Sequence, residues 1–191
     1  MKNTLKKLRE LKKEAVKSII PEYDEEHREI ISMFVREDSN FLSAYSGKDG
    51  AVIAGDVAEF LDNAVKPLAL RDDLHLIITS SQIDDSEKII YRKAIKNYYR
   101  GEVIDSDKRL HRNKLASFWM LIAGFVIIAA AVTLKLLGIG EVLVEAVDIA
   151  GWVFLWESVH LFFIERPLLK YEQLRACALY NAKVSYQNAE S

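Results

Sequence analysis

The sequence predicts a membrane protein, mainly α. An N-terminal cytoplasmic α+β domain covers residues 1–114, a two-helix transmembrane hairpin covers 115–164, and a C-terminal cytoplasmic tail helix covers 165–191. Three observations predict this. Charge is segregated: residues 1–114 hold 21 Lys/Arg and 21 Asp/Glu, whereas 115–191 hold 5 and 7. Residues 115–134, LASFWMLIAGFVIIAAAVTL, run for 20 positions without a charge. A second apolar stretch, 142–164, follows a short connection that contains glycine.

Residues 1–20 read as a basic amphipathic helix, with Leu5, Leu8, Leu11 or Ala15, and Ile19 near helical spacing and Pro21 as its stop. Its net charge of +5 suits anionic head groups or an acidic partner, but the narrow apolar stripe without aromatics favours the solvated face of a packed helix. From Glu22 a second helix is expected to carry Ile30, Ile31, Phe34 and Val35. AVIA (51–54) follows as a candidate strand, Gly55-Asp56 as a cap, and 57–65 as a short helix that stops before Pro67.

LHLIIT (74–79), rich in β-branched residues and bounded by Ser, predicts a strand. IDDSE (83–87) supplies an N-cap and an acidic first turn. A helix is expected to run from about residue 85 straight into the first span, despite Gly101 and Asp105-Ser106-Asp107. Two strands make a poor sheet alone, so pairing across subunits is one way to complete it.

The first span, 115–134, reaches roughly 30 Å as a helix, the thickness of a bilayer's hydrocarbon core. Lying past mid-chain, it is not a signal peptide. The connection KLLGIGE (135–141) makes the two spans antiparallel. Lys108, Arg109, Arg112 and Lys114 precede the first span, Arg166, Lys170 and Arg175 follow the second, and the loop holds Lys135 beside Glu141. The excess of positive charge at the outer flanks predicts the inner membrane with both termini cytoplasmic. Phe118 and Trp119 would then sit near the inner interface. Pro167 is expected to kink the chain. Beyond it, Leu168, Tyr171, Leu174, Ala178 and Ala182 line one face of the tail helix.

The second span carries the functional hint. An ionisable group in hydrocarbon costs on the order of 3 kcal/mol, so it turns toward protein or water. Glu141, Glu145 and Asp148 share one face near the outer end, and Glu157 with His160 form an i, i+3 pair deeper in. These five are the candidate pore-lining residues of a homo-oligomer. The alternative keeps Glu145 and Asp148 at the interface, with Glu157 and His160 bonded to each other or to Ser117 or Ser158. The same Glu157/His160 spacing occurs in di-iron bundles, but those need carboxylates from two further helices, so no metal or cofactor is expected.

Lys108, Arg109, Arg112 and Lys114 are candidate contacts to anionic lipid or ligand. Repeated around an axis, they would form an anion-attracting vestibule. Tyr98-Tyr99, among Lys93, Lys96 and Arg100, suits either base stacking or a half-buried helix.

No nucleotide-binding, metalloprotease or CxxC spacing is present, and the four histidines His27, His75, His111 and His160 are scattered. The single cysteine, Cys177, excludes an internal disulfide and reads as a small apolar residue of the tail helix. With 8 Gly, 3 Pro and half its 191 residues hydrophobic, the chain is neither disordered nor fibrous. A net charge of −2 argues against a dedicated nucleic-acid binder. The expected function is therefore non-enzymatic: a homo-oligomeric inner-membrane channel or pore-forming effector gated by a cytoplasmic signal. The alternatives are a membrane-anchored interaction module without a pore and a membrane enzyme with Glu157 and His160 as its acid–base pair.

The paired spans 115–134 and 142–164 and the basic run 108–114, joined to a small cytoplasmic domain, resemble the membrane effectors of bacterial anti-phage defence systems. The layout is similar to that of the membrane subunit of the Hailong system. The resemblance implies an oligomeric channel held closed by a nucleic-acid oligomer, made by a partner nucleotidyltransferase, and opened during infection. It implies no site residues; those named above rest on charge alone.

Overall fold

The computed structural model describes residues 22–36, 40–47, 50–68 and 73–188, together with Thr4, Lys7 and Glu10. The rest of the helix expected over 1–20 lies outside the described residues. Two compact units emerge: Met1–Gly101 with Arg175–Ser191, and Glu102–Leu174. The chain thus leaves the first unit at Gly101 and returns to it at Arg175.

The first unit is built on a parallel sheet of three strands, β1 (Glu29–Phe34), β2 (Leu74–Thr79) and β3 (Lys183–Gln187), in the order β1-β2-β3. Glu29 pairs with Leu74 and His75 with Lys183, and the register continues residue by residue from both. Alternation along each strand buries Ile31, Met33, Leu74, Leu76, Ile78 and Val184 on one face. The other face, with Ser32, Phe34, His75, Ile77, Ser185 and Gln187, is half-buried or exposed.

Helix α1 (Gly55–Val65) contributes Ala58, Leu61 and Val65 to the core. The start of α2 (Asp85–Leu136) contributes Tyr91, Ala94, Ile95 and Tyr99, and the end of α4 (Arg166–Asn181) contributes Ala176 and Leu179. The Phe41 and Tyr91 rings stack at 4.3 Å between centroids.

Several expectations change here. The segment read as a helix after Glu22 is strand β1. Its apolar residues fit a helical stripe, but pairing with the β-branched β2 overrides that local pattern. AVIA makes no strand: Ile53 forms an isolated bridge to Leu42. The cap of α1 falls at Ala54, with Gly55 and Asp56 in the first turn. The tail is not helical to its end, because the chain turns at Ala182 into β3. The second and third strands of the sheet therefore come from within this chain.

Helix α2 does run unbroken from Asp85 to Leu136, 52 residues, past Gly101. It starts with a reciprocal cap: the Glu87 amide donates to Asp84 Oδ1 at 2.8 Å, and the Asp84 amide donates to Glu87 Oε2 at 2.9 Å. The serine hydroxyl of Ser86 also donates to Asp84, which holds that carboxyl below its ordinary value. Of the two readings of Tyr98-Tyr99, the packed one holds for Tyr99. It is buried, and its hydroxyl donates to Asp62 at 3.1 Å.

Parallel strands need a crossover between them. From β2 to β3 that crossover contains the whole second unit. Two of its helices, Asp85–Leu136 and the helical run Glu141–Asn181, are long and apolar enough to cross a membrane.

Candidate functional site

The second unit is a helical hairpin: the end of α2, a turn, α3 (Glu141–His160), a π-turn (Leu161–Glu165) and the start of α4. The hairpin turn follows from its glycine. Gly138 takes φ +71°, a left-handed conformation that costs glycine little. The Gly138 amide donates to Lys135 and the Ile139 amide to Leu134, so two of the last carbonyls of α2 are satisfied.

Small residues make the seam. Ser117, Gly124 and Ala131 recur at intervals of seven on α2, and Gly151 and Ser158 do so on α3; all five are buried. A Cβ added at Gly151 would stand 2.5 Å from Ile128 Cγ1 and 3.3 Å from the Gly124 carbonyl oxygen. One added at Gly124 would meet Leu155 Cγ at 2.7 Å. The helices therefore approach backbone to backbone, as helix pairs in lipid commonly do.

Two serines clasp the end of this seam farther from the hairpin turn. Ser158 Oγ donates to the Ser117 carbonyl at 2.9 Å, and Ser117 Oγ donates to the Ser158 carbonyl at 3.1 Å. Because the serines bond reciprocally, Glu157 and His160 do not use them. Among the described residues, neither the Glu157 nor the His160 side chain forms a hydrogen bond or ion pair, with each other or with any partner, and both residues are exposed.

The five candidate pore residues do not share one face. At about 100° per residue, Glu141, Glu145 and Asp148 fall within roughly 60° on one flank of α3. Glu157 projects from the opposite flank and His160 from the outer side. Glu141 and Glu145 border a cavity of about 550 Å³ with Lys135, Gly138 and Val144 at the hairpin turn.

In the basic cluster, Lys108, Arg109, Arg112 and Lys114 are all exposed. Lys108, Arg109 and Arg112 share a face within about 100°, and Lys114 lies away from it. Arg109 is ion-paired to Asp105 at 2.7 Å.

Between these residues lies one that sequence reasoning missed. Asn113 is buried, and neither amide atom finds a partner among the described residues. It lines a cavity of about 640 Å³ with Arg109, Arg112, Ala116, Leu161, Glu165 and Leu169. Its position four residues before Ser117, on the seam, was the available signal.

Pro167 does not end the helical path. The π-turn carries the Arg166 amide to the Leu161 carbonyl, and the proline falls in the first turn of α4, where no amide donor is needed.

A second missed group lies in the first unit, where Asp24, His75 and Ser185 form a hydrogen-bonded chain. No spacing could reveal residues so distant in sequence; the alternation of LHLIIT shows only that His75 faces away from the core. Compared with protein-family models, curated proteins and solved structures, the chain matches none.

Proposed function

We propose that the chain is an inner-membrane protein whose hairpin assembles from several copies into an ion channel or pore-forming effector gated by a cytoplasmic signal. One observation carries this reading. Glu145, Glu157 and His160 are exposed on a hairpin whose outer faces are otherwise apolar, including Phe125, Trp152 and Trp156. Facing hydrocarbon, each would cost on the order of 3 kcal/mol. Sister copies around a wetted axis remove that cost. The flank with Glu141, Glu145 and Asp148 lines the pore, while Glu157 and His160 meet neighbouring helices.

Topology supports the same reading. The residues on either side of the hairpin belong to one compact unit, so both termini lie on one face, and the basic flanks make that face cytoplasmic. Lys108, Arg109 and Arg112 contact anionic lipid head groups or the phosphates of a nucleotide or nucleic-acid oligomer made by a partner enzyme. The layout, similar to that of anti-phage membrane effectors, supports a role for the gate in defence.

Purified protein in liposomes tests the proposal. Cation flux should appear, and Glu145→Gln with Asp148→Asn should lower cation preference. A solubilised particle with the mass of a single chain would overturn it. A second reading, a hairpin that tethers the first unit without a pore, draws on the Ser117–Ser158 clasp, which closes the helix pair without other copies. Oligomeric liposomes without flux would favour the tether.

A further inference from the structure

Asp24 precedes β1, His75 lies on β2 and Ser185 on β3. The sheet register sets His75 opposite Lys183 and Ile77 opposite Ser185, so His75 and Ser185 are diagonal neighbours on the face away from the core. His75 Nε2 stands 2.8 Å from Ser185 Oγ, and its Nδ1 stands 2.9 Å from Asp24 Oδ2.

Protonation follows from the partners. Asp24 Oδ1 accepts the backbone amides of Glu26 and Arg28, and Oδ2 accepts Arg28 Nε–H, each at 2.9 Å. These bonds, chiefly the Arg28 amide, hold the Asp24 carboxyl below its ordinary 3.8. An ionised carboxylate only accepts, so His75 Nδ1 carries the hydrogen. In its neutral form His75 then aims the Nε2 lone pair at Ser185, whose hydroxyl donates to it.

The surroundings fit a reacting group rather than a sealed network. The Asp24 and His75 side chains are 13% and 12% exposed, and Ser185 is half-buried on the sheet face away from the core. Of the other charges nearby, Arg28 pairs with Asp24 and Glu26, and Lys183 with Glu26. The Ser80 amide donates to the Gln187 carbonyl, so Gln187 faces β2 and alternation turns the Tyr186 N–H to the edge of β3 away from β2. Among the described residues this donor has no strand partner, and it adjoins the hydroxyl.

We infer that Ser185 is a nucleophile activated by His75, that Asp24 is the positioning residue for the imidazole, and that the sheet face away from the core accepts the acyl group of a carboxylic ester. As Ser185 Oγ bonds to the carbonyl carbon, its proton passes to His75 Nε2. The bond to the leaving alcohol then breaks, and His75 returns the proton to that alcohol. Water adds by the same route, releases the acid and restores the serine. This inference is independent of the pore.

The test is covalent labelling of the full-length protein in detergent with a biotinylated fluorophosphonate. Ser185 Oγ displaces fluoride from phosphorus and its proton goes to His75. Peptide mass spectrometry should place the adduct on Ser185, and Ser185→Ala should lack it. His75→Gln should slow labelling about 100-fold, the usual scale of general-base catalysis. Asp24→Asn should slow labelling, and Asp24→Glu should recover part of the rate. Should Ser185→Ala fail to fold, Ser185→Cys keeps the question open to decision, because its thiol should react with iodoacetamide faster than Cys177 and only with His75 present. Folded wild-type protein unlabelled at Ser185, or labelled equally in His75→Gln, overturns the inference.

Discussion

The two units bury opposite kinds of residue. In the first, the hidden residues include large apolar side chains: Tyr99, Phe41, Leu61, Leu76 and Ile95 are all below 2% exposed. In the second, the hidden residues are Asn113, Ser117, Gly124, Ala131, Gly151 and Ser158, while Phe125 is 60% exposed and Trp156 74%. Water drives bulky apolar groups inward. Lipid does not, so only close backbone approach and hydrogen bonds hold two helices together there. One chain thus carries two packing codes, one of the kind water favours and one of the kind seen between helices in lipid.

Core truncation separates the codes most strongly. Leu76→Ala should cost the first unit about 2–5 kcal/mol, seen as an earlier urea midpoint, whereas Phe125→Ala should leave hairpin packing almost unchanged. Equal losses at both positions would mean that the hairpin is an ordinary water-facing core.

The next effect reverses the direction of the change. Gly151→Val should cost about 1–3 kcal/mol, because the new side chain meets backbone as well as Ile128. The readout is a disulfide between Ser117→Cys and Ser158→Cys in a Cys177→Ser background, which should form readily and be lost with Gly151→Val. Cross-linking that survives the valine would refute the close seam.

Smaller still is the serine clasp itself. A double-mutant cycle of Ser117→Ala and Ser158→Ala should give a coupling of about 0.6 kcal/mol, reaching at most about 1.7. Zero coupling would leave the glycines as the sole reason for the approach.

The mildest contrast is in acid. Asp24 ionises below its ordinary 3.8 when folded, so its stabilisation is present above that pH and is lost as pH falls through the lower folded value. Acid titration of the first unit's unfolding should therefore steepen there, and Asp24→Asn should flatten it.

The hairpin was the more legible region. An uncharged run of 20 residues, a loop with glycine and flanking basic residues are local signals, and helices of membrane-spanning length stand where those signals put them. The first unit was less legible. Ile30, Ile31 and Phe34 fit a helix as well as a strand, and residues 183–187 followed a helical tail without a stop signal. Strand β2 was readable because its β-branched run states its own preference; β1 and β3 become strands by pairing with it.

By itself, then, the sequence determined what depends on neighbours along the chain. This includes the length and apolarity of the spans, the turn at Gly138, the cap at Asp84 and the central strand. Tertiary structure alone decided what depends on partners far away in sequence. It joined β2 to β3 across the entire hairpin, set Ser117 against Ser158, and brought Asp24, His75 and Ser185 within hydrogen-bond reach. The physical reason is that helix periodicity and capping act over a few residues, whereas sheet pairing and side-chain chains are specified only when the backbone has already folded.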